Sequence, residues 1–510
     1  MTPQLQRGIV TGSIMLATIM QTLDSTIANV ALPHMQGTMS ATEDQIAWVL
    51  TSYIIAAAIA TPATGFLSQR FGRKRLLSIS IVGFTVASML CGAAQTLEEI
   101  VIFRLVQGVF GAAFVPLSQA IMLDTYSIEM RGKMMALWGV GVMVGPIVGP
   151  ALGGWLTDSY SWRWVFYINV PFGVFAFIGV MTALTESKLD FLRRFDWMGF
   201  AFLSIAIGAM QLMLDRGNLK DWFSSSEIVI EGLIAAFAFY WFISHSLTAR
   251  KPFIDLALFK DRNLVVGVSM IALVGLVLYA TMALMPPFLE TLMGFPVTTT
   301  GLVLAPRGMG TMIAMFAAGR IINKIDMRHL IAFGLALSSF SLWQMAQFNL
   351  NVSQQTIIMT GVVQGFGLGF IFAPLTTITF ATLPAHLRTD GTSIYSLLRN
   401  VGSSVGISVT MSMVARFTQV NHAAFAERVD PTNPIFRSGA MPHGLELSSP
   451  MGLTYLNGEI TRQAAAIGYL NDFRLMMFMT ALVVPMAYLM SNPTMTPEEI
   501  EEAAQHAAMD

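Results

Sequence analysis

Residues 9–31 read IVTGSIMLATIMQTLDSTIANVA, an apolar run interrupted by one acid, Asp24. About 20 mostly apolar residues are enough for a helix to cross the hydrocarbon core of a bilayer. The run therefore reads as a membrane span. It is too long for the apolar core of a cleaved signal peptide, a second span follows at once, and such a core avoids acids. Stretches of the same kind recur at 46–67, 76–94, 99–122, 134–156, 164–184, 196–214, 227–247, 263–289, 298–319, 330–348, 356–380, 393–415 and 473–491. The reading is an all-α membrane protein with 14 transmembrane helices.

Composition agrees. Of 510 residues, 54% are apolar and 12% charged, against about 25% charged in a soluble domain. Mean hydropathy is +0.63. These values exclude a soluble or disordered chain. A net charge of -1 gives no basic footprint for nucleic acid. The lone cysteine, Cys91, excludes a disulfide framework and cysteine-based metal clusters. Lys and Arg crowd alternate loops, as in Arg70, Arg73, Lys74 and Arg75, in Arg131 and Lys133, and in Arg320, Lys324 and Arg328. The short loops between hold only Arg163, Arg216 and Lys220. The positive-inside rule then places both termini in the cytoplasm.

Three regions depart from the simple pattern. Residues 185–262 hold two spans flanked by charge, between an earlier six (1–184) and a later six (263–510). Residues 416–472 read as a polar extracytoplasmic loop with turns at Asp430-Pro431 and Asn433-Pro434 and helical character over 457–470. The acidic tail 492–510 reads as a short surface helix.

Charges within spans are costly and face a partner or a cavity. Four stand out: Asp24, Arg104, Arg307 and Arg399. At 1.5 Å per residue, Asp24 lies roughly 12 Å and Arg104 roughly 8 Å from the outer surface, so the two can share a level. Neither has an opposite charge one turn away in its own helix, so each needs a partner on another helix or water. An acid there can load and release a proton as its surroundings change; the plainer reading is a fixed clip between helices. Arg307 and Arg399 suit helix packing or a gate as well as a functional path. Glu290 reads as a wetted interface residue.

Span 5 carries Gly141, Gly145, Gly149 and Gly153 at four-residue spacing, with Pro146 and Pro150 among them. Such a stripe lets another backbone approach closely, and the prolines remove internal hydrogen bonds. A hinge or sliding contact is the functional reading and static packing the other. Gln107-Gly108 in span 4 and Gln364-Gly365 in span 12 hint at an internal duplication, as do Gly65 to Arg75 beside Gly319 to Arg328. A phosphate-binding loop GxxxxGK[ST] and an HExxH motif are missing, and the seven histidines are unpaired at ligand spacing. A membrane enzyme or sensor is the weaker class, and no cofactor is expected beyond a proton gradient.

Several motifs together resemble the major facilitator superfamily, in its fourteen-span drug:proton antiporter branch, the EmrB/QacA subfamily. Leu23-Asp24-Ser25-Thr26 through Leu32-Pro33 resembles the branch's first-span signature. Gly65-Phe66-Leu67-Ser68-Gln69-Arg70-Phe71-Gly72-Arg73-Lys74 resembles the loop between spans 2 and 3. Arg104-Leu105-Val106-Gln107-Gly108 is similar to the span 4 motif, and Gly145-Pro146 through Gly153-Gly154 to the antiporter motif. Ser161 through Pro171 resembles the approach to span 6.

The resemblance implies a major facilitator fold: two six-helix bundles, two inserted helices, and alternating access between the bundles. It implies proton coupling by Asp24 and Arg104, with the span 5 glycines and prolines as a conformational hinge. Candidates for the substrate path are Gln21, Asn29, Gln107, Gln364, Arg307 and Arg399. The loop residues Gly65, Gln69, Arg70, Gly72 and Arg73 would form a cytoplasmic gate. Gln69 replaces the family's usual Asp, whose charge contacts cannot form here. By the same resemblance the chain exports hydrophobic or amphipathic small molecules from a bacterial inner membrane, with a periplasmic adaptor and an outer-membrane channel as partners. An exporter of one narrow metabolite is the alternative within the fold.

Overall fold

The computed structural model describes residues 2–186, 195–322, 324–429 and 450–491. Among them every regular element is helical. Fourteen helical passes follow in order: α1 (Pro3–Met39), α2 (Trp48–Ala60 and Ala63–Phe71), α3 (Arg73–Ala93), α4 (Leu97–Gly111 and Phe114–Thr125), α5 (Ile128–Ser159), α6 (Trp164–Tyr167 and Asn169–Ala183), α7 (Trp197–Arg216), α8 (Ser226–Thr248), α9 (Arg262–Pro287), α10 (Val297–Ile321), α11 (Met327–Met345), α12 (Gln354–Ala381), α13 (Arg388–Ala426) and α14 (Pro450–Val483). Ten are long and apolar enough to cross a bilayer singly, and α2 does so as a bent pair. The more polar α1, α11 and α13 pack among them.

Proline positions explain the interruptions. Pro62 sits at the 58° bend of α2. In α4 the break at Ala112-Ala113 comes one turn before Pro116, which cannot donate to the Ala112 carbonyl. In α6 the break at Ile168 falls in the turn before Pro171, which cannot donate to the Tyr167 carbonyl. Helix α5 nevertheless runs unbroken through Pro146 and Pro150.

The packing is duplicated. In the first half α1 lies against α5 and α6, α2 against α4, and α3 against α4 and α6. In the second half α9 lies against α13 and α14, α10 against α12, and α11 against α12 and α14. The pair α7 and α8 stands aside, with α7 against α2 and α13. In lipid, helices associate by close packing rather than by hydrophobic transfer, and glycines make that possible. A Cβ on Gly310 would come within 2.9 Å of the Val362 carbonyl oxygen, and one on Gly334 within 2.6 Å of that of Gly367.

One expectation is corrected. The span 416–472 is not a loop throughout: α13 continues to Ala426 and α14 begins at Pro450. Both helices outrun their apolar stretches, so hydropathy alone placed the end of α13 too early and the start of α14 too late. The expected turns at Asp430-Pro431 and Asn433-Pro434, and the tail helix over 492–510, lie outside the described residues.

Candidate functional site

Asp24 and Arg104 are each 0% exposed, and their side chains meet at 2.6 Å (Oδ2 to Nη1). Four helices build the cluster. From α4, Gln107 Nε2 donates to Asp24 Oδ1 at 2.9 Å, and from α6 Asn169 Nδ2 donates to the same oxygen at 2.9 Å. Arg104 also donates to Gln107 Oε1 at 2.7 Å and to the Val49 carbonyl of α2 at 3.1 Å. Its guanidinium lies over the Tyr53 ring, 4.2 Å from the centroid. Asn169 donates in turn to Ser88 Oγ at 2.9 Å, and Ser88 to the Phe166 carbonyl at 2.8 Å.

Local sequence explains this convergence. Asn169 follows the break in α6. Gln107 stands one turn beyond Arg104 and faces the same way. Gly108 brings α4 onto α2, where a Cβ would come within 2.5 Å of the Tyr53 carbonyl oxygen. The carboxylate thus accepts from three donors, its ion-pair partner Arg104 and two amides, and a buried charge is tolerable only when paired and hydrogen-bonded in this way. Protonating it would remove the charge that ties α1 to α4.

Helix α5 packs its glycine stripe on the helix that bears Asp24. Gly141 faces Met15, Gly145 the Thr22 backbone, Gly149 Thr26, and Gly153 Ile27. The Thr26 hydroxyl donates to the Gly145 carbonyl at 3.0 Å. Gly154, off the stripe, has only Val30 Cγ1 nearby, at 3.9 Å from a Cβ position.

The predicted gate loop lies where the two halves touch. Gly65 packs on Asp390 of α13. Gln69 Nε2 donates to the His386 carbonyl and to Asp390 Oδ2, both at 3.2 Å. An amide therefore bridges the halves at the position of the usual Asp. Arg73 pairs with Asp124 at the end of α4, and Asp124 pairs with Arg388 at the start of α13. Gly72 has φ +90 and leaves room for Glu186, whose carboxylate accepts from the Lys74 and Arg75 amides at 3.0 and 3.2 Å. Arg70 lies in the last turn of α2.

The six path candidates are not brought together. Gln107 belongs to the Asp24 cluster. Gln21 approaches the Tyr53 hydroxyl, and Asn29 is exposed and donates to the Ser25 carbonyl. Gln364 is buried and donates to Thr281 Oγ1 at 3.4 Å. Arg307 reaches the Leu278 carbonyl at 3.5 Å. Arg399 lines a cavity between the halves with Gln119, Trp138, Met143, Met315 and Tyr395. That cavity holds about 20 Å³, room for roughly one water. Glu290 is half-buried in the turn that closes α9.

Sequence reasoning missed Asn169, Tyr53, Asp124, Arg388, Asp390 and Asp472. Asn169 had a signal, a polar residue two before a proline inside a span. Asp124 fell two residues beyond the span as drawn and Asp472 one residue before it, so both read as loop acids.

The sequence profile of the Major Facilitator Superfamily matches residues 14–407. The chain belongs to the major facilitator superfamily. The multidrug export protein EmrB of Haemophilus influenzae is 36% identical over 492 residues, 94% of this chain and 96% of that protein. The fatty acid resistance protein FarB of Neisseria gonorrhoeae is 34% identical over 486 residues, 95% and 96% of the two chains. Among solved structures, the human organic anion transporter MFSD10 (TETRAN) superposes with a TM-score of 0.60 at 14% identity, covering 93% of this chain and 99% of that one. The match to EmrB places this membrane protein in the EmrB/QacA branch of the superfamily, among transporters rather than enzymes.

Proposed function

We propose that this multidrug efflux transporter exchanges hydrophobic, amphipathic small molecules for protons by alternating access, with Asp24 as the proton carrier. One observation carries the reading: an acid with no exposed surface, deep within a membrane bundle, held by an arginine whose only carboxylate partner it is among the described residues. Releasing the proton restores the charge, and the cluster re-forms across α1, α2, α4 and α6. Taking up a proton frees α1, on whose face the glycine stripe of α5 rests. The motion is thereby passed to the helix that borders the cavity.

The basic end, clasped through Gln69, Arg73, Asp124 and Arg388, is the cytoplasmic gate in its closed state. Both termini then lie in the cytoplasm and the chain sits in a bacterial inner membrane. An inward proton gradient supplies the drive, worth about 2.3 kcal/mol per charge per 100 mV, and no other cofactor is needed. The cavity offers Trp138 Nε1, Gln119 Oε1 and Arg399 Nε without hydrogen-bond partners among the described residues, amid methionines. Flexible thioethers adapt to varied apolar shapes. A periplasmic adaptor and an outer-membrane channel would carry the cargo onward, as partners docking beyond α13 and α14.

Uptake of a fluorescent hydrophobic cation into inverted vesicles under an imposed pH gradient tests the reading. Asp24→Asn is expected to insert normally and to lose gradient-driven uptake altogether. Wild-type uptake by Asp24→Asn would refute the assignment.

A further inference from the structure

Asp472 of α14 is 0% exposed, and neither carboxyl oxygen has a hydrogen-bond partner among the described residues. It shares the inner face of α14 with Tyr469, Phe473 and Met476. Phe288 packs edge-on against Tyr469 at 5.6 Å and Phe473 at 6.5 Å. Thr281 Oγ1 of α9 lies 3.7 Å from Met476 Sδ. One turn before Asp472, Gly468 rests on the α13 backbone at Val414.

Charged and titratable groups on the packed helices leave it unpaired. On α14 itself Tyr469 is one turn away, while Glu459 and Arg462 pair with each other nearer the helix start. Arg474 lies on the same helix but forms no ion pair with Asp472 among the described residues. Helix α13 carries Arg399, Arg416 and His422, α11 carries Arg328 and His329 at its start, and α9 carries Arg262, with Glu290 in its closing turn. None of these forms an ion pair or hydrogen bond with Asp472.

The duplicated packing gives this acid a counterpart. In the first half the first, fourth and sixth helices join Asp24, Gln107 and Asn169. In the second half the first, fourth and sixth helices carry Thr281, Gln364 and Asp472, and Gln364 donates to Thr281. Both glutamines open a Gln-Gly pair that seats their helix on a neighbour. The carboxyl has moved from the first helix to the sixth. The arginine is missing: one turn before Gln364 stands Gly361, as Arg104 stands before Gln107. Gln364 Oε1, like both carboxyl oxygens of Asp472, receives no hydrogen bond among the described residues.

A carboxylate cannot stay ionised in such surroundings without a counter-charge; it takes up a proton instead. We infer that Asp472 is a second proton-binding site, in the C-terminal half, carrying its proton while the basic end is closed and releasing it to water when α14 moves against α9. The chemistry is a single proton exchange between the carboxylic acid and water. In this conformation the two halves hold opposite forms, a paired carboxylate at Asp24 and a neutral acid at Asp472. The inference rests on the proton-exchange reading above, but its first test does not.

Infrared spectra of the purified full chain in lipid nanodiscs at neutral pH read the protonated carboxyl directly. The carbonyl band of a buried protonated acid is expected in the wild type and in Asp24→Asn, lost in Asp472→Asn, and shifted in frequency in Asp472→Glu. A wild-type band that persists in Asp472→Asn overturns the inference, and should that variant fail to insert, a band unmoved by Asp472→Glu does the same. In proteoliposomes, the opposing pH gradient that stops net movement of a fluorescent hydrophobic cation measures protons per substrate. Asp472→Asn is expected to lower that ratio; an unchanged ratio overturns the transport role. If Asp24→Asn transports normally while the Asp472 band is present, the exchange reading fails and the assignment of the acid stands.

Discussion

Arg104 spends its donors on Asp24, Gln107 and the Val49 carbonyl, and its remaining amino nitrogen, Nη2, has no partner among the described residues. Taking away one member of a buried pair leaves an uncompensated charge and costs about 3–5 kcal/mol; replacing both members costs much less. Arg104→Gln is therefore expected to destabilise the protein by about that amount, whereas Asp24→Asn with Arg104→Gln recovers most of the loss and no transport. Denaturant unfolding in detergent reads both, and a double variant no more stable than Arg104→Gln alone would show that the pair is not energetically coupled. Asp24 and Arg104 were legible in the sequence because a charge inside an apolar run is conspicuous. Asn169 was marked only by the proline two residues on, and Tyr53 not at all, since uncharged polar and aromatic residues are common in spans. Asp472 was lost through a boundary: with the last span drawn from 473, an acid in a helix became an acid in a loop.

At the scale of the helix, the fourteen apolar runs were readable because each must bury or shield its backbone in lipid. The ends of α13 and α14 were not, because a helix that leaves the bilayer no longer needs apolar residues. The α5 glycines gave the clearest signal of all, and the structure shows what they touch. A methyl on Gly145 would occupy the space of the Thr22 backbone, which cannot move aside as a side chain would. Gly145→Ala is expected to push α5 off α1, lower the melting temperature and abolish efflux, although alanine is the better helix former. Gly154→Ala meets only a distant methyl group and serves as its control, with near-normal efflux and unchanged or slightly raised stability. Equal loss in the two variants would mean that helix flexibility, not the α1 contact, is what the glycines supply.

At the scale of the molecule, the halves are held together at the basic end by a bridge in which one carboxylate serves two arginines. Asp124 pairs with Arg73 of its own half and with Arg388 of the other, and Gln69 adds its amide beside them. Single exposed ion pairs contribute about 0–1 kcal/mol, but these side chains are only 13–27% exposed and share one acceptor. Of the two pairs only Arg388–Asp124 crosses between the halves, and losing it removes up to about 1 kcal/mol from the closed state alone. A difference of that size shifts the balance between two conformers roughly fivefold. Asp124→Asn, keeping the shape and removing the charge, is thus expected to populate a form opened at this end. Spin labels at the exposed positions Ser127 and Ala385, one on each half, would report a second, longer distance in Asp124→Asn that is minor in the wild type. Arg388→Gln should reproduce it, because it cuts the only one of the two pairs that crosses between halves. Arg73→Gln should do so more weakly, since its partner lies within its own half. If Arg73→Gln opened the end as fully as Arg388→Gln, the bridge would be acting through the shape of the first half rather than by holding the halves together.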